Sequence, residues 1–363
     1  MNIAVQILLE IVFFGILYGG VIVIILSYLK VFKRKLNKLS IVLPLCIMGL
    51  FFILFIIFQF SWENGYAGLY VLVFSFIGIF LHMIVFSCIF LLINCCVKDM
   101  NKWIGLTIIC FVPVLYLIYG FTISTIIKIE KVSFTHPAYI LDFPLKILQL
   151  SDVHLGAYYR KPFVNTLVKK IFDNNPDIVV ITGDLFDNSL EVKKEWLEPF
   201  KEVDVPILFS AGNHDCYYNK KDVVEVITNA DIIYLNKNIY EFNGVRFVGI
   251  DYDENLDESL EELKNDGKLN EDMPNVLLLH RPKKPQSLEK YNIFLSLTGH
   301  THDGQLFPAN FFGYLIHECM NGIYKSESGD TITYVNTGVG NTFFPIRTFT
   351  RTKISIITIE KNS

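Results

Sequence analysis

The sequence predicts a chain in two parts. An α-helical membrane domain of four transmembrane helices covers residues 1–131, and an α/β domain of stacked sheets flanked by helices covers residues 132–363. Three observations predict this. First, 52% of the 363 residues are hydrophobic, and the excess lies in the first third. Second, charge divides at the same place. Residues 1–131 hold nine Lys/Arg and four Asp/Glu, a balance of +5, which leaves 23 and 32, or −9, for the remainder. Third, beyond Lys146 short apolar runs alternate with stretches of helical spacing and then group into hairpins, the pattern of sheets covered by helices.

The membrane part is read from four apolar segments, at residues 3–29, 41–60, 66–97 and 103–127. Each reaches the roughly 20 residues that a spanning helix needs. The third is over-long, which implies tilt or a partly interfacial course. The start lacks a basic n-region and a second apolar segment follows at once, unlike a cleaved signal peptide. Lys30, Lys33, Arg34, Lys35 and Lys38 make the most basic connection, which places that loop in the cytoplasm. The turn at 61–65 is then outside, the 98–102 connection inside, and the fourth helix exits outward. The expectation is a multi-pass protein of the cell membrane with an extracytoplasmic C-terminal domain. Glu10 and His82 lie within spans and are expected to be structural. Five of the seven cysteines fall in this part; Cys216 and Cys319 do not, and no zinc spacing links them. Two small buried thiols are expected there, with pairing as the alternative.

In the second part, residues 147–150, 177–181, 206–209, 276–279 and 294–297 read as buried strands, with 332–335 and 354–359 as closing strands. Residues 163–174, 190–202 and 222–229 have helical spacing. Residues 239–242 and 245–250 flank Asn243-Gly244, the two residues of a tight hairpin turn. No internal repeat or low-complexity stretch interrupts the pattern.

A polar cluster directly follows each of five strand-like runs. They are Asp152-Val153-His154, Gly183-Asp184-Leu185-Phe186-Asp187, Gly212-Asn213-His214-Asp215, His280, and Gly299-His300-Thr301-His302. Open α/β folds gather their sites at such strand ends. Five of the eight histidines occur in these clusters, too many to be core filling, because each buried ring needs a partner. Carboxylates and imidazoles without thiolate suit two divalent ions, Mn, Fe or Zn. A pair of ions about 3.5–4 Å apart clamps a phosphoryl group and lowers the pKa of a water for in-line attack. An acidic domain is a poor match for nucleic acid, whose phosphates are met by basic contacts.

Together the five clusters, in this order, resemble the calcineurin-like metallophosphoesterase superfamily, from about Lys146 onward. Residues 151–156 and 337–347 resemble its bacterial membrane-associated branch. The resemblance implies a two-sheet sandwich between helices. It also implies one metal on Asp152, His154, Asp184 and His302, and a second on Asp184, Asn213, His280 and His300. His214 is then the catalytic proton donor to the leaving oxygen, with Asp215 orienting its ring. Asp303 stands where many members have Gly. The Arg-Gly that protein Ser/Thr phosphatases place after the second block is absent, since Asn188-Ser189 follows Asp187.

The expected function is a membrane-anchored, metal-dependent phosphohydrolase. It would hydrolyse a phosphoester or pyrophosphate bond by a hydroxide activated between two metals. The expected partners are the membrane and a phosphorylated small-molecule or lipid-linked substrate, not nucleic acid. The alternative is a non-catalytic sensor or transporter component that binds phosphate or metal. Arg347 and Arg351 are read either as substrate contacts or as surface residues near the last strand. Phe307, Phe311, Phe312, Phe343 and Phe344 are read as core, with a lipid-facing lip as the alternative.

Overall fold

The computed structural model describes residues 19–31, 33, 53, 67–97, 101–187, 192–217, 219–342 and 345–362. The chain divides into two compact units, Met1–Phe121 and Thr122–Ser363. The described part of the first unit is helical: α1 (Gly19–Val31), α2 (Ala67–Cys96), α3 (Lys102–Leu106) and most of α4 (Val112–Thr125). A π-helical turn over Thr107–Phe111 joins α3 to α4. Among the described residues one continuous helix, Trp103–Thr125, is long and apolar enough to cross a membrane. All but residue 53 of the expected span at 41–60, most of the basic loop, Glu10 and the turn at 61–65 lie outside the described residues. His82 is buried, with Nδ1 2.7 Å from the carbonyl of Gly78 and its ring beside Tyr116.

The second unit is built on two mixed six-stranded sheets. Sheet one runs β1 (Lys128–His136), β12 (Lys353–Lys361), β2 (Leu145–Leu150), β3 (Ile178–Thr182), β4 (Ile207–Ser210) and β5 (Ile233–Tyr234). Sheet two runs β10 (Gly322–Lys325), β11 (Ile332–Val335), β9 (Leu295–Thr298), β8 (Asn275–Leu279), β7 (Val245–Ile250) and β6 (Asn238–Phe242). β2 to β5 are mutually parallel, as are β7, β8, β9 and β11. The antiparallel partners are β12 against β2, β6 at one edge and β10 at the other.

Alternation along the strands sorts side chains into layers, because successive residues point to opposite faces. Ile147, Ile178, Val180 and Leu208 face inward and meet Phe247, Val276, Leu278, Leu295 and Leu297 of the other sheet. Leu148, Leu150, Val179 and Ile181 face outward under α5 (Lys161–Asn174), which contributes Val164, Leu167, Val168 and Ile171. On the far side, Val248, Ile250, Leu277 and Leu279 lie under Leu260 and Leu263 of α8 (Leu256–Asn265). The order is helix, sheet, sheet, helix. Strands covered on both faces read as unbroken apolar runs, which is why the sequence exposes them. Between them, α6 (Asn213–Tyr217) and α7 (Lys220–Thr228) follow β4. The hairpin turn has Asn243 at φ 45° and Gly244 at φ 71°, both positive as this turn requires.

The helix expected at 190–202 is instead two 3₁₀ turns, Lys194–Trp196 and Glu198–Glu202, among the residues described there. Pro199 offers no N–H to a continuing helix, so the chain restarts at it.

A polar cross-link joins the two sheets. Tyr334 of β11 donates to Glu130 of β1 at 2.6 Å, and Lys353 of β12 holds the same carboxylate at 2.8 Å. Burial opposes the Glu130 charge, but these partners override it and take its pKa down to about 2. A depressed carboxyl stabilises the fold above its ordinary range and loses that contribution as pH falls through the folded value. Glu130→Gln should therefore cost roughly 1–3 kcal/mol at neutral pH. In denaturant titrations the gap between variant and wild type should close as pH falls from about 4.5 toward 2. A gap that does not change with pH would show that the charge contributes nothing.

Candidate metal centre

The parallel strands of both sheets end at one edge, and polar residues leave each of them there. β2 delivers Asp152 and His154, β3 delivers Asp184, and β4 delivers Asn213, His214 and Asp215. From the second sheet, β8 delivers His280, and β9 delivers His300 and His302. Backbone hydrogen bonds continue past the strand ends, from Asp152 N to Gly183 O at 3.0 Å and from His154 N to Asp184 O at 3.1 Å.

The backbone here is held in an uncommon conformation. Asp152, His154, Asp184, His300 and His302 all have φ between 48° and 73°. Non-glycine residues in the left-handed region cost about 1–3 kcal/mol each and gather where function needs the side chain. Close approach also needs glycine. A Cβ on Gly212 would strike the Asp184 carboxylate, and one on Gly183 (φ 82°) would meet the His280 ring.

Two groups of side chains result. In the first, His302 Nε2 lies 3.3 Å from Asp152 Oδ1 and 3.0 Å from His154 Nε2. In the second, His280 Nε2 lies 3.1 Å from Asp184 Oδ2 and 3.2 Å from His300 Nδ1. Asp184 Oδ2 belongs to both, since it is 3.8 Å from His154 Nε2. Asp152, His154, His302 and Asp184, His280, His300 each bring their ligand atoms within 4.8 Å of one another, and so do His154, Asp184, His214. Asn213 sits beside them at the start of α6, and its buried Oδ1 has no hydrogen-bond partner.

These residues fit divalent ions. Burial works against the charges of Asp152 and Asp184, but the imidazoles around them, His302 and His280 foremost, hold both carboxyls well below their usual range. Burial drives His154 well below its usual value and lowers His302. Burial and the charge of His280 bring His300 down to about 3. Burial opposes the His280 charge too, yet Asp184 overrides it and raises that ring to about 9. Ionised carboxylates and neutral imidazoles are the lone-pair donors that Mn, Fe and Zn accept; His280 carries the proton that an ion beside Asp184 would displace from Nε2. Orphaned Asn213 Oδ1 adds a neutral oxygen where a buried acceptor otherwise lacks a donor.

The residues behind the ligands fix their orientation. Ser151 Oγ donates to Asp152 Oδ2 at 2.6 Å, and His280 Nδ1 donates to Thr182 O at 2.9 Å, leaving His280 Nε2 to face Asp184. His214 Nδ1 donates to the carbonyl of Asp187 at 3.0 Å, and this ring stands edge-on to His154 at 4.9 Å.

The expected pairing of Asp215 with the His214 ring is not what the structure shows. Asp215 is fully buried and accepts from the backbone N–H groups of Gly212 (2.9 Å), Phe186 (3.0 Å) and Leu185 (3.3 Å). Burial and the adjacent Asp184 push its pKa up to about 7. Both residues lie on α6, and consecutive residues on a helix do not face each other. Asp215 therefore ties the second cluster to the third, and a backbone carbonyl orients the ring.

Arg347 is neither a surface residue nor open to a substrate. It is wholly buried, donating to Gly340 O (2.6 Å), Thr337 O (2.8 Å) and Asn341 Oδ1 (2.9 Å), with Nη2 3.0 Å from His302 Nδ1. It braces His302 from behind; Arg351 is exposed. Asp303 has φ 50°, and its carboxylate accepts from Tyr314 Oη and Asn321 Nδ2. Cys216 and Cys319 are both free thiols. Phe311 and Phe312 are exposed, contrary to the core assignment, while Phe343 and Phe344 lie outside the described residues.

Three rim residues were missed in the sequence. Tyr252 stands 6.0 Å from the His300 ring, His317 5.8 Å from His300, and Tyr217 6.3 Å from His214. For Tyr252 a signal existed: Asp251-Tyr252 follows a strand-like run as the five clusters do.

A helix–sheet–sheet–helix sandwich thus brings together at one sheet edge the donors that a divalent-metal site needs. Residues 145–304 match the family model described as calcineurin-like phosphoesterase, and this domain belongs to the calcineurin-like metallophosphoesterase superfamily. A metallophosphoesterase of Helicobacter pylori strain J99 is 31% identical over 235 residues, covering 61% of this chain and 62% of that protein. One from Aquifex aeolicus is 29% identical, covering 69% of this chain and 98% of that one. A Danio rerio protein named as a transmembrane protein with metallophosphoesterase domain is 29% identical, covering 60% and 53%. The chain thus spans about three fifths of the length of the Helicobacter relative it matches.

Proposed function

We propose that this chain is a membrane-anchored phosphohydrolase that uses two divalent ions, Mn, Fe or Zn, to cleave a phosphoester or pyrophosphate bond of a lipid-linked substrate. The observation that carries the reading is the sharing of Asp184 Oδ2 between two buried donor groups, with His214 beside them. Asp152, His154, Asp184 and His302 would hold one ion, and Asp184, Asn213, His280 and His300 the other. Two such ions supply the charge that draws in a phosphoryl group and lowers the pKa of a water.

The chain's own residues do the rest. Asp152 is locked by Ser151 Oγ and by the backbone N–H of His300, 3.1 Å from each carboxylate oxygen, so its position does not depend on the ligand. His214 keeps its Nδ1 proton on Asp187 O, which leaves Nε2 to pass a proton to the departing oxygen. No protein nucleophile is needed. Cys216 is unsuited to the task, because burial pushes its thiol far above the usual range.

Support for the membrane comes from the apolar helix Trp103–Thr125 and the four apolar segments of the sequence. The basic connection at 30–38 favours four spans and an outward-facing domain. An anchor that holds the site near a bilayer favours a lipid phosphate or pyrophosphate over a free metabolite.

The test is a panel of lipid pyrophosphates, lipid phosphomonoesters, nucleotide diesters and aryl phosphodiesters offered to the full-length protein. Chelator-treated protein should be inactive, and Mn²⁺, Fe²⁺ or Zn²⁺ should restore turnover, fastest on a lipid substrate. No restoration on any substrate with any of the three ions would overturn the enzymatic reading.

A further inference from the structure

Beside the metal centre, helix α9 (Ala309–Ile316) has no charged residue and little cover. Phe311, Phe312, Tyr314, Leu315 and Ile316 are between 53% and 78% exposed, and of the helix only Gly313 is buried. Phe349 extends the patch from a distant part of the chain. It is 72% exposed, its φ is 62°, and its ring lies 5.8 Å from that of Phe307. Asn310 Nδ2 donates to Thr348 O at 3.1 Å, and Phe307 N to Thr348 Oγ1 at 2.8 Å, so the loop and the helix are one surface. A contiguous apolar patch of this kind marks an interaction surface.

The same loop identifies the occupant. The last turn of the apolar helix, Thr122–Thr125, belongs to the same compact unit as the metal centre. Ser124 Oγ donates to Pro345 O at 2.8 Å, and Thr352 Oγ1 donates to Ile126 O at 3.1 Å. The segment 345–352 is therefore pinned at both ends to the residues where the chain leaves its apolar helix, and Phe349 lies within that segment. Where that helix spans a bilayer, as proposed above, a patch tied to its last turn is held close to the bilayer surface.

We infer that α9 and Phe349 form a membrane-docking platform that seats in the headgroup–acyl boundary of the bilayer. The composition suits that boundary. Phe and Leu enter the acyl region, and Tyr314 sits at headgroup level, where amphipathic rings collect. With no lysine or arginine on the helix, docking is driven by apolar burial and should not depend on anionic lipid. The platform also joins the metal centre. Tyr314 Oη donates to Asp303, the residue after His302, and Asp303, Phe307, Asn310, Phe311, Tyr314 and Phe349 line a groove of about 310 Å³. The inference rests on the anchoring part of the function proposed above and not on hydrolysis.

The test places a photoreactive benzophenone side chain at Leu315, and separately at Phe349, in the full-length protein in phosphatidylethanolamine–phosphatidylglycerol vesicles carrying a radiolabelled lipid. Phe172, 51% exposed on α5, is the control position. On irradiation both platform positions should give at least tenfold more lipid adduct than Phe172, and the ratio should hold when phosphatidylglycerol is removed. Adducts no more abundant than at Phe172, or a cross-link to a second copy of the chain, would overturn the inference. Extraction of the same vesicles with alkaline carbonate separates the two proposals. Release of the protein would refute anchoring itself, whereas retained protein without lipid adducts refutes only the platform.

Discussion

Asp184→Ala should abolish metal-dependent turnover and empty both metal positions together. The reason is geometric. Asp184 Oδ2 is 3.1 Å from His280 Nε2 and 3.8 Å from His154 Nε2, so one oxygen serves both donor groups. Its other oxygen accepts from His214 N at 2.8 Å, which places the third cluster as well. Loss of an outer-shell partner typically costs roughly 10–100-fold in metal affinity or activity. Loss of a ligand common to two ions should exceed that in each. Alanine at φ 52° is strained, so a misfolded variant could imitate the result. Asp184→Asn removes the ambiguity, since asparagine tolerates that backbone and keeps an acceptor for His214 N. It should melt near wild type yet retain less than one bound ion per chain by elemental analysis. Two bound ions and native turnover in the Asn variant would disprove the shared-ligand arrangement.

The strands that carry the centre were legible because both their faces are buried. Residues such as Ile178 to Thr182 are wholly covered, and a run that must be apolar on both sides cannot hide in sequence. The polar residues that follow each run were equally plain, for the core offers no other use for so many carboxylates and imidazoles. Elements with mixed or short patterns were not legible. α8 is acidic and amphipathic, and its signal, Asn255 accepting from Glu258 N, is a helix cap of the ordinary kind. α9 is eight residues and nearly apolar all round, so no period separates it from a core segment. β1 runs Lys128–His136 and pairs in parallel with β12, which begins more than 200 residues later, a partner that local reading cannot supply.

The candidate centre was legible in the residues that it gathers and illegible in their supports. Ligands follow strands, and strand ends converge by topology, so their meeting can be foreseen. Supports depend on which way a side chain turns within a loop. The resemblance implied that Asp215 orients His214, but α6 sends the two in different directions, and Asp187 supplies a carbonyl from another cluster. Arg347 needed residues 337–341 and 351 to gather around it before its burial made sense. Its guanidinium meets carbonyl oxygens at Thr337, Gly338, Gly340 and Arg351, an arrangement without local sequence signature.

That revised support gives the second large effect. His214→Ala should keep both ions and lose about 10²–10⁴-fold in turnover, the usual share of a positioned proton donor. Its backbone N–H still reaches Asp184 in the variant, so the donor groups are undisturbed. Asn213→Ala should do the reverse, weakening one ion while the other stays, because it deletes the unpartnered Oδ1 beside the second group. Substrates with a better leaving group separate the roles further. A nitrophenyl ester needs little help with its departing oxygen, so the His214 defect should shrink on it while the Asn213 defect persists. His214 also lies within 4.8 Å of His154 and Asp184, which makes metal content the decisive reading. If His214→Ala loses an ion, the ring is a ligand and the proton must come from elsewhere. Asp215→Asn provides the internal control. Its carboxylate bonds only to backbone N–H groups among the contacts described, so the change should lower the melting temperature and leave the leaving-group dependence of wild type intact.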